Sequence, residues 1–245
     1  MRQRLFFVLV LVLTSSAAVD AECVDPATLA HSTVGITRYF DDTEKAASPG
    51  VSGIAGTGWF VSPTSMVTVE HVAAAMNLST LDWKQVEIRM GETEQSIPVR
   101  IQRLAGSAAE KIAVLELQTA FPDAQGIALR MEPLVPGEPV VSLAYPGRHL
   151  RVAGGRFVQY GKDDKFAGTV LLELYDGNDR LVLDHGASGA PVLDCRGRAV
   201  AVVGNLMTTT IRLLSQIVRV STAWQNPNVV AVPIQEMTDH LAPIK

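Results

Sequence analysis

Sulfur and aromatic rings are scarce in this chain. It has two cysteines, Cys23 and Cys195, five histidines, and only 6% Phe, Trp and Tyr. Two cysteines exclude a small disulfide-built scaffold, and with the scattered histidines they offer no metal-ligand spacing. No metal and no cofactor is expected. Net charge is small too, −4 over 245 residues, which gives no reason to expect nucleic acid or an anionic membrane surface as partner. Internal repeats and low-complexity tracts are absent. No apolar run is long enough to make stable membrane insertion an expectation.

What remains is ordinary globular composition, 47% hydrophobic and 19% charged, with ample apolar mass for a core. The N-terminus stands apart. Arg2 and Arg4 precede an apolar stretch from Leu5 to Leu13, and small residues follow up to Ala21. That pattern reads as a secretory signal over residues 1–21, cleaved after Ala21, with one folded domain over 22–245. The expected location is secreted or periplasmic. An uncleaved anchor is one alternative. A lipid on Cys23 is another, for which Glu22 is a poor preceding residue. Both cysteines lie in the exported part, where a Cys23–Cys195 disulfide would persist, and two free thiols are the alternative.

Short runs rich in Val, Ile and Thr recur between Gly, Pro, Asp and Asn turns. They include TVGITRYF (33–40), MVTV (66–69), QVEIRM (85–90), KIAVLEL (111–117), TVLLELY (169–175) and RAVAVVGNL (198–206). This spacing predicts an all-β barrel or sandwich. The Pro- and Gly-rich stretch 121–139 reads as a connector between two β halves, and 234–245 as a short closing helix. Residues 207–227 fit strand, helix or loop equally well.

Two stretches carry chemistry. In GTGWFVSPTSMVTVEHVAAAM (56–76), a Gly-rich strand and a second strand lead to His71, with small residues after it. In DHGASGAPVLD (184–194), Ser188 lies among small residues just before a strand. Glycines there let a carbonyl approach and let backbone N–H groups face a developing oxyanion. Alone, the first is more often a core histidine and the second an ordinary Gly-Ser turn.

Together, and in this order, they resemble the trypsin-like (chymotrypsin-fold) serine proteases, closest in pattern to the bacterial V8-like and HtrA-type protease domains. The resemblance covers about residues 33–240, including GRAVAVVGN (197–205) and NVVAVPI (228–234). It implies two six-stranded antiparallel β-barrels, about 30–120 and 135–233, with a short C-terminal helix. It also implies a peptide or protein substrate, Ser188 as nucleophile, His71 as general base, and the N–H groups of Gly186 and Ser188 as oxyanion hole. The resemblance would place Val182 and Leu183 at the floor of the primary pocket and Asn205 on the cleft strand. None is acidic, which disfavours Lys or Arg in the substrate. Ala187 replaces the usual Asp or Asn, removing the partner of a zymogen-freed N-terminus.

The third block of the pattern departs. Where the resemblance asks for Asp before I-A-V-L-x-L, the chain has Lys111. The acid orients the histidine, and a neutral isostere there costs about 10⁴ in kcat. A nearby ammonium would further disfavour the imidazolium. Three readings stand open. Glu110 is the acid, turned inward by an irregular strand start. A distant acid serves, with Asp82 and Asp184 as candidates. Or there is none, and the chain is an impaired pseudoprotease that binds peptides or proteins.

Overall fold

The computed structural model describes residues 23–106, 110–162, 166–175, 183, 185–206, 209–213, 216–220 and 227–240. The expected signal segment, Val182 and Asp184 lie outside these.

Fourteen strands build the described chain, twelve of them in two closed antiparallel barrels. The first barrel uses β1 (Thr33–Tyr39), β2 (Gly53–Ser62), β3 (Ser65–Val69), β4 (Lys84–Met90), β5 (Thr93–Ala105) and β6 (Ile112–Leu117). The second uses β7 (Pro139–Ala144), β8 (Arg151–Tyr160), β9 (Val170–Tyr175), β10 (Pro191–Asp194), β11 (Ala199–Leu206) and, after a hairpin of β12 (Thr209–Leu213) and β13 (Gln216–Val220), β14 (Val229–Pro233). Strand order is β1-β2-β3-β6-β5-β4 in one and β7-β8-β9-β14-β11-β10 in the other, closed by β1–β4 and β7–β10 pairing. The two barrels therefore share one topology, although the sequence carries no repeat. The predicted strands all appear, and the closing helix is a 3-10 helix over Ile234–His240. Within the stretch 207–227 that the sequence left open, the described residues form the hairpin β12–β13.

Burial follows position in the pair of barrels. On β5 the alternation is regular, with Ile97, Val99 and Ile101 inward and their neighbours outward, as a half-buried strand requires. On β1 six consecutive residues from Thr33 are buried, because the second barrel covers the outer face. The first core, around Trp59, Phe60, Met66 and Leu115, runs on into Val141, Leu143 and Val202 of the second barrel. A separate core around Phe157, Leu172 and Val192 fills the second barrel. The catalytic candidates sit where these barrels meet.

The N-terminal end of the described chain is tied down. Cys23 and Cys195 form a disulfide, Val24 N–H donates to Cys195 O at 3.0 Å, and α1 (Pro26–Leu29) follows with Leu29 against the core. Beside Cys195, Arg130 pairs with Glu138 and Arg198 with Asp194. Burial pushes the Asp194 carboxyl up, but hydrogen bonds from Arg198 and from Arg196 N–H outweigh it and hold it below the usual range.

Candidate active site

His71 lies in the first turn of the helix α3 (Glu70–Ala75), into which β3 runs directly; a second short helix, α2 (Asp42–Ala47), belongs to the β1–β2 loop. Small residues after His71 let α3 sit close, with Val72 and Ala73 buried against the first barrel. The imidazole is itself 41% exposed.

Glu110 meets it from the far side. Its Oε2 lies 2.9 Å from His71 Nδ1, and its Oε1 accepts the His71 backbone N–H at 3.2 Å. One carboxylate thus holds both the ring and the backbone of a single residue. The backbone explains how. Strand β6 begins only at Ile112, and Glu110 occupies a bend before it. Strand alternation counted back from β6 does not fix these two residues, so Glu110 can face His71 while Lys111 faces out. Lys111 points out, 42% exposed, with its ammonium 3.9 Å from Glu70. Its backbone carbonyl still accepts from Glu70 N–H at 2.9 Å, which fixes the bend against α3. Asp82 is engaged locally by Ser79 in an exposed turn and makes no contact with His71.

Ser188 sits between two glycines with left-handed backbone, Gly186 (φ 100°) and Gly189 (φ 91°). A side chain is excluded at Gly189, because a Cβ would lie 2.1 Å from Thr57 O. Ser188 Oγ donates to Gly204 O at 3.1 Å. That carbonyl is available because the β11–β14 register shifts between Val203 and Asn205. Among the described residues, the N–H groups of Gly186 and Ser188 donate no hydrogen bond. Gly204 also flanks Glu110. A Cβ there would stand 3.7 Å from Glu110 Cγ, so the longer carboxylate meets no side chain on that side.

A family model of the trypsin-like peptidase domain matches residues 56–202, a span that runs from β2 to β11 and takes in both His71 and Ser188. The chain belongs to the trypsin-like peptidase domain family. Among curated proteins none matches it. Solved structures similar to this trypsin-like peptidase domain share the chymotrypsin-like fold. The Rv3671c protease from M. tuberculosis, in its active form, superposes with a TM-score of 0.58 at 19% identity, over 89% of this chain and 82% of its own. Deg5 gives 0.56 at 16% identity, over 86% and 87%. The HtrA-type protease AlgW with tripeptide gives 0.53 at 16% identity, over 83% of this chain but 56% of its own, so the present chain spans little more than half of AlgW.

Other predicted positions of this trypsin-like peptidase domain fall as follows. Ala187 is buried among the second barrel's core residues, where a carboxylate would be costly. Leu183 has no exposed surface and packs with the core residues of the second barrel. Asn205 is exposed on β11. Among the described residues no cluster of His, Cys, Asp and Glu could hold a metal. The sequence reading missed Thr57, whose hydroxyl reaches the serine turn from the other barrel. The T of the G-T-G motif was its only signal.

Proposed function

We propose that the chain is an exported serine endopeptidase whose triad is Ser188, His71 and Glu110, with glutamate in place of the family's aspartate. The observation that carries this reading is the two-oxygen contact of Glu110 with His71 Nδ1 and N–H. A carboxylate on Nδ1 keeps the proton on that nitrogen and leaves Nε2 as the base, and it stabilises the imidazolium formed in reaction.

Ser188 Oγ attacks the scissile carbonyl while His71 Nε2 takes its proton. The oxyanion is met by the Gly186 and Ser188 N–H groups. Collapse breaks the C–N bond, His71 protonates the departing amine, and Ser188 is left acylated. Water, deprotonated by His71, then releases the acid product. Val182 and Leu183, neither acidic, favour a small or apolar side chain before the cleaved bond. Export is supported by the signal-like residues 1–21 and by the disulfide, which persists in oxidising compartments.

One observation favours a second reading, a peptide- or protein-binding module on a weak protease scaffold. The Ser188 hydroxyl is engaged by Gly204 O, with no hydrogen bond to His71 among the described residues. Catalytic hydrogen bonds in a ligand-free site commonly tighten only when substrate binds, so the endopeptidase reading stands first. Incubating the mature chain with an unfolded protein and mapping new termini by mass spectrometry separates the two. The endopeptidase reading expects termini that vanish in Ser188→Ala. Intact protein retained equally by wild type and Ser188→Ala would support the binding module.

A further inference from the structure

Thr57 is wholly buried on β2, in the first barrel, yet its polar atoms serve the nucleophile turn of the second. Its hydroxyl donates to Gly186 O at 2.6 Å and accepts from Tyr145 N–H at 3.0 Å. Its backbone N–H donates to Ser188 O at 2.9 Å. Its carbonyl accepts from Thr68 Oγ1 at 2.8 Å. The direction of the hydroxyl proton is forced, because a backbone N–H can only donate and a carbonyl can only accept. The chain of bonds therefore runs Tyr145 N–H to Thr57 O–H to Gly186 C=O.

We propose that Thr57 is a positioning residue that locks the oxyanion turn from the opposite barrel. This rests on the reading of Ser188 as nucleophile. The carbonyls of Gly186 and Ser188 flank Ala187, and Thr57 holds both. With those two peptide planes fixed, the intervening Ala187–Ser188 peptide, which carries the Ser188 N–H, has little freedom. Gly186 is the weak point of the turn, since a glycine at φ 100° can rotate its peptide at low steric cost. The hydroxyl of Thr57 opposes that rotation, because a turned Gly186 carbonyl would leave a buried donor unpaired. Tyr145 adds a second support. Its carbonyl and Pro146 Cα approach the Gly186 Cα side to within 3.2 and 3.3 Å of where a Cβ would be.

The test compares Thr57→Val, which keeps the shape and removes the hydroxyl, with Thr57→Ser, which keeps the hydroxyl. Two readouts are taken: hydrolysis of a small activated ester, and amide hydrogen exchange of residues 185–190. Removing an oxyanion donor outright costs about 10²–10³ in kcat, and loosening the turn that presents it should cost about 10- to 100-fold. KM should stay within about twofold, because the interaction acts in the transition state. Exchange at 185–190 should speed up in Thr57→Val and return to the wild-type rate in Thr57→Ser. If Thr57→Val does not fold, Thr57→Ala, which leaves room for a water, takes its place. Wild-type kcat and exchange in Thr57→Val, or equal loss in Thr57→Ser, would overturn the proposal. A wild type that does not hydrolyse the ester defeats the nucleophile reading instead, and the exchange comparison alone then decides whether Thr57 holds the turn.

Discussion

Lys111 and Glu110 are neighbours with opposite fates. The motif aligns a lysine with an acid, and read strictly that predicts a damaged site. The bend before β6 undoes the mismatch by presenting the preceding residue to His71. Glu110→Gln is expected to lower kcat about 100-fold or more with KM little changed, measured on a peptide or ester substrate. Lys111→Ala should alter kcat less than about threefold, because its exposed pairing with Glu70 is worth little and lies outside the triad. A large gain in Lys111→Asp would instead mean that no acid serves in the native chain. His71 and Ser188 were legible from sequence because each sits in a motif of local residues. Glu110 was legible only as one of three options, because its role depends on where a strand starts, and strand starts are set by pairing with distant chain. Gly204 and Thr57 were present only as letters of longer motifs, with no role legible for either. Their parts depend on a register shift and on a contact between barrels.

At the scale of elements, the β1–β2 loop contains α2 with a capping box, in which Asp41 and Glu44 satisfy each other's backbone N–H groups. Glu44 does more than cap. It takes two hydrogen bonds of 2.8 Å from buried Arg38 and one of 3.1 Å from Asn77, just past α3. Arg38 holds its carboxyl far below the ordinary value of 4.5, at about 2. The sign follows from that lowering. Ionised Glu44 contributes its stability in full above pH 4.5, and the contribution is lost as pH falls towards about 2. Thermal unfolding of Glu44→Gln should therefore show a lower midpoint at neutral pH and a smaller decline from pH 4.5 downward than the wild type. Equal slopes for the two proteins would contradict this. The strands themselves were largely legible, as period-two or continuous apolar runs between turns. The hairpin β12–β13 was not, because its sequence suits helix and strand alike.

For the whole molecule, two barrels of identical strand order enclose a site to which both contribute. His71 and Glu110 come from the first and Ser188 and Gly204 from the second. The duplication is invisible in sequence, since topology constrains pattern and not residue identity. The Cys23–Cys195 disulfide closes a loop of 172 residues around both barrels. Closing so long a loop stabilises chiefly by limiting the unfolded chain, by about 2–4 kcal/mol. Cys195→Ser should lose about that much in denaturant unfolding, and a reductant should destabilise the wild type but not the variant. Unchanged stability in Cys195→Ser would show that the N-terminal tie contributes nothing to the fold.

The central claim is that Ser188 is a live nucleophile activated by His71 and Glu110. Covalent labelling of the mature chain by a fluorophosphonate, followed by identification of the modified residue, tests it most directly. The account predicts a single adduct on Ser188 in the wild type, none in Ser188→Ala, and labelling slowed about 100-fold in Glu110→Gln. A wild type that stays unlabelled, or one that labels at the same rate when Glu110 is neutralised, would contradict it.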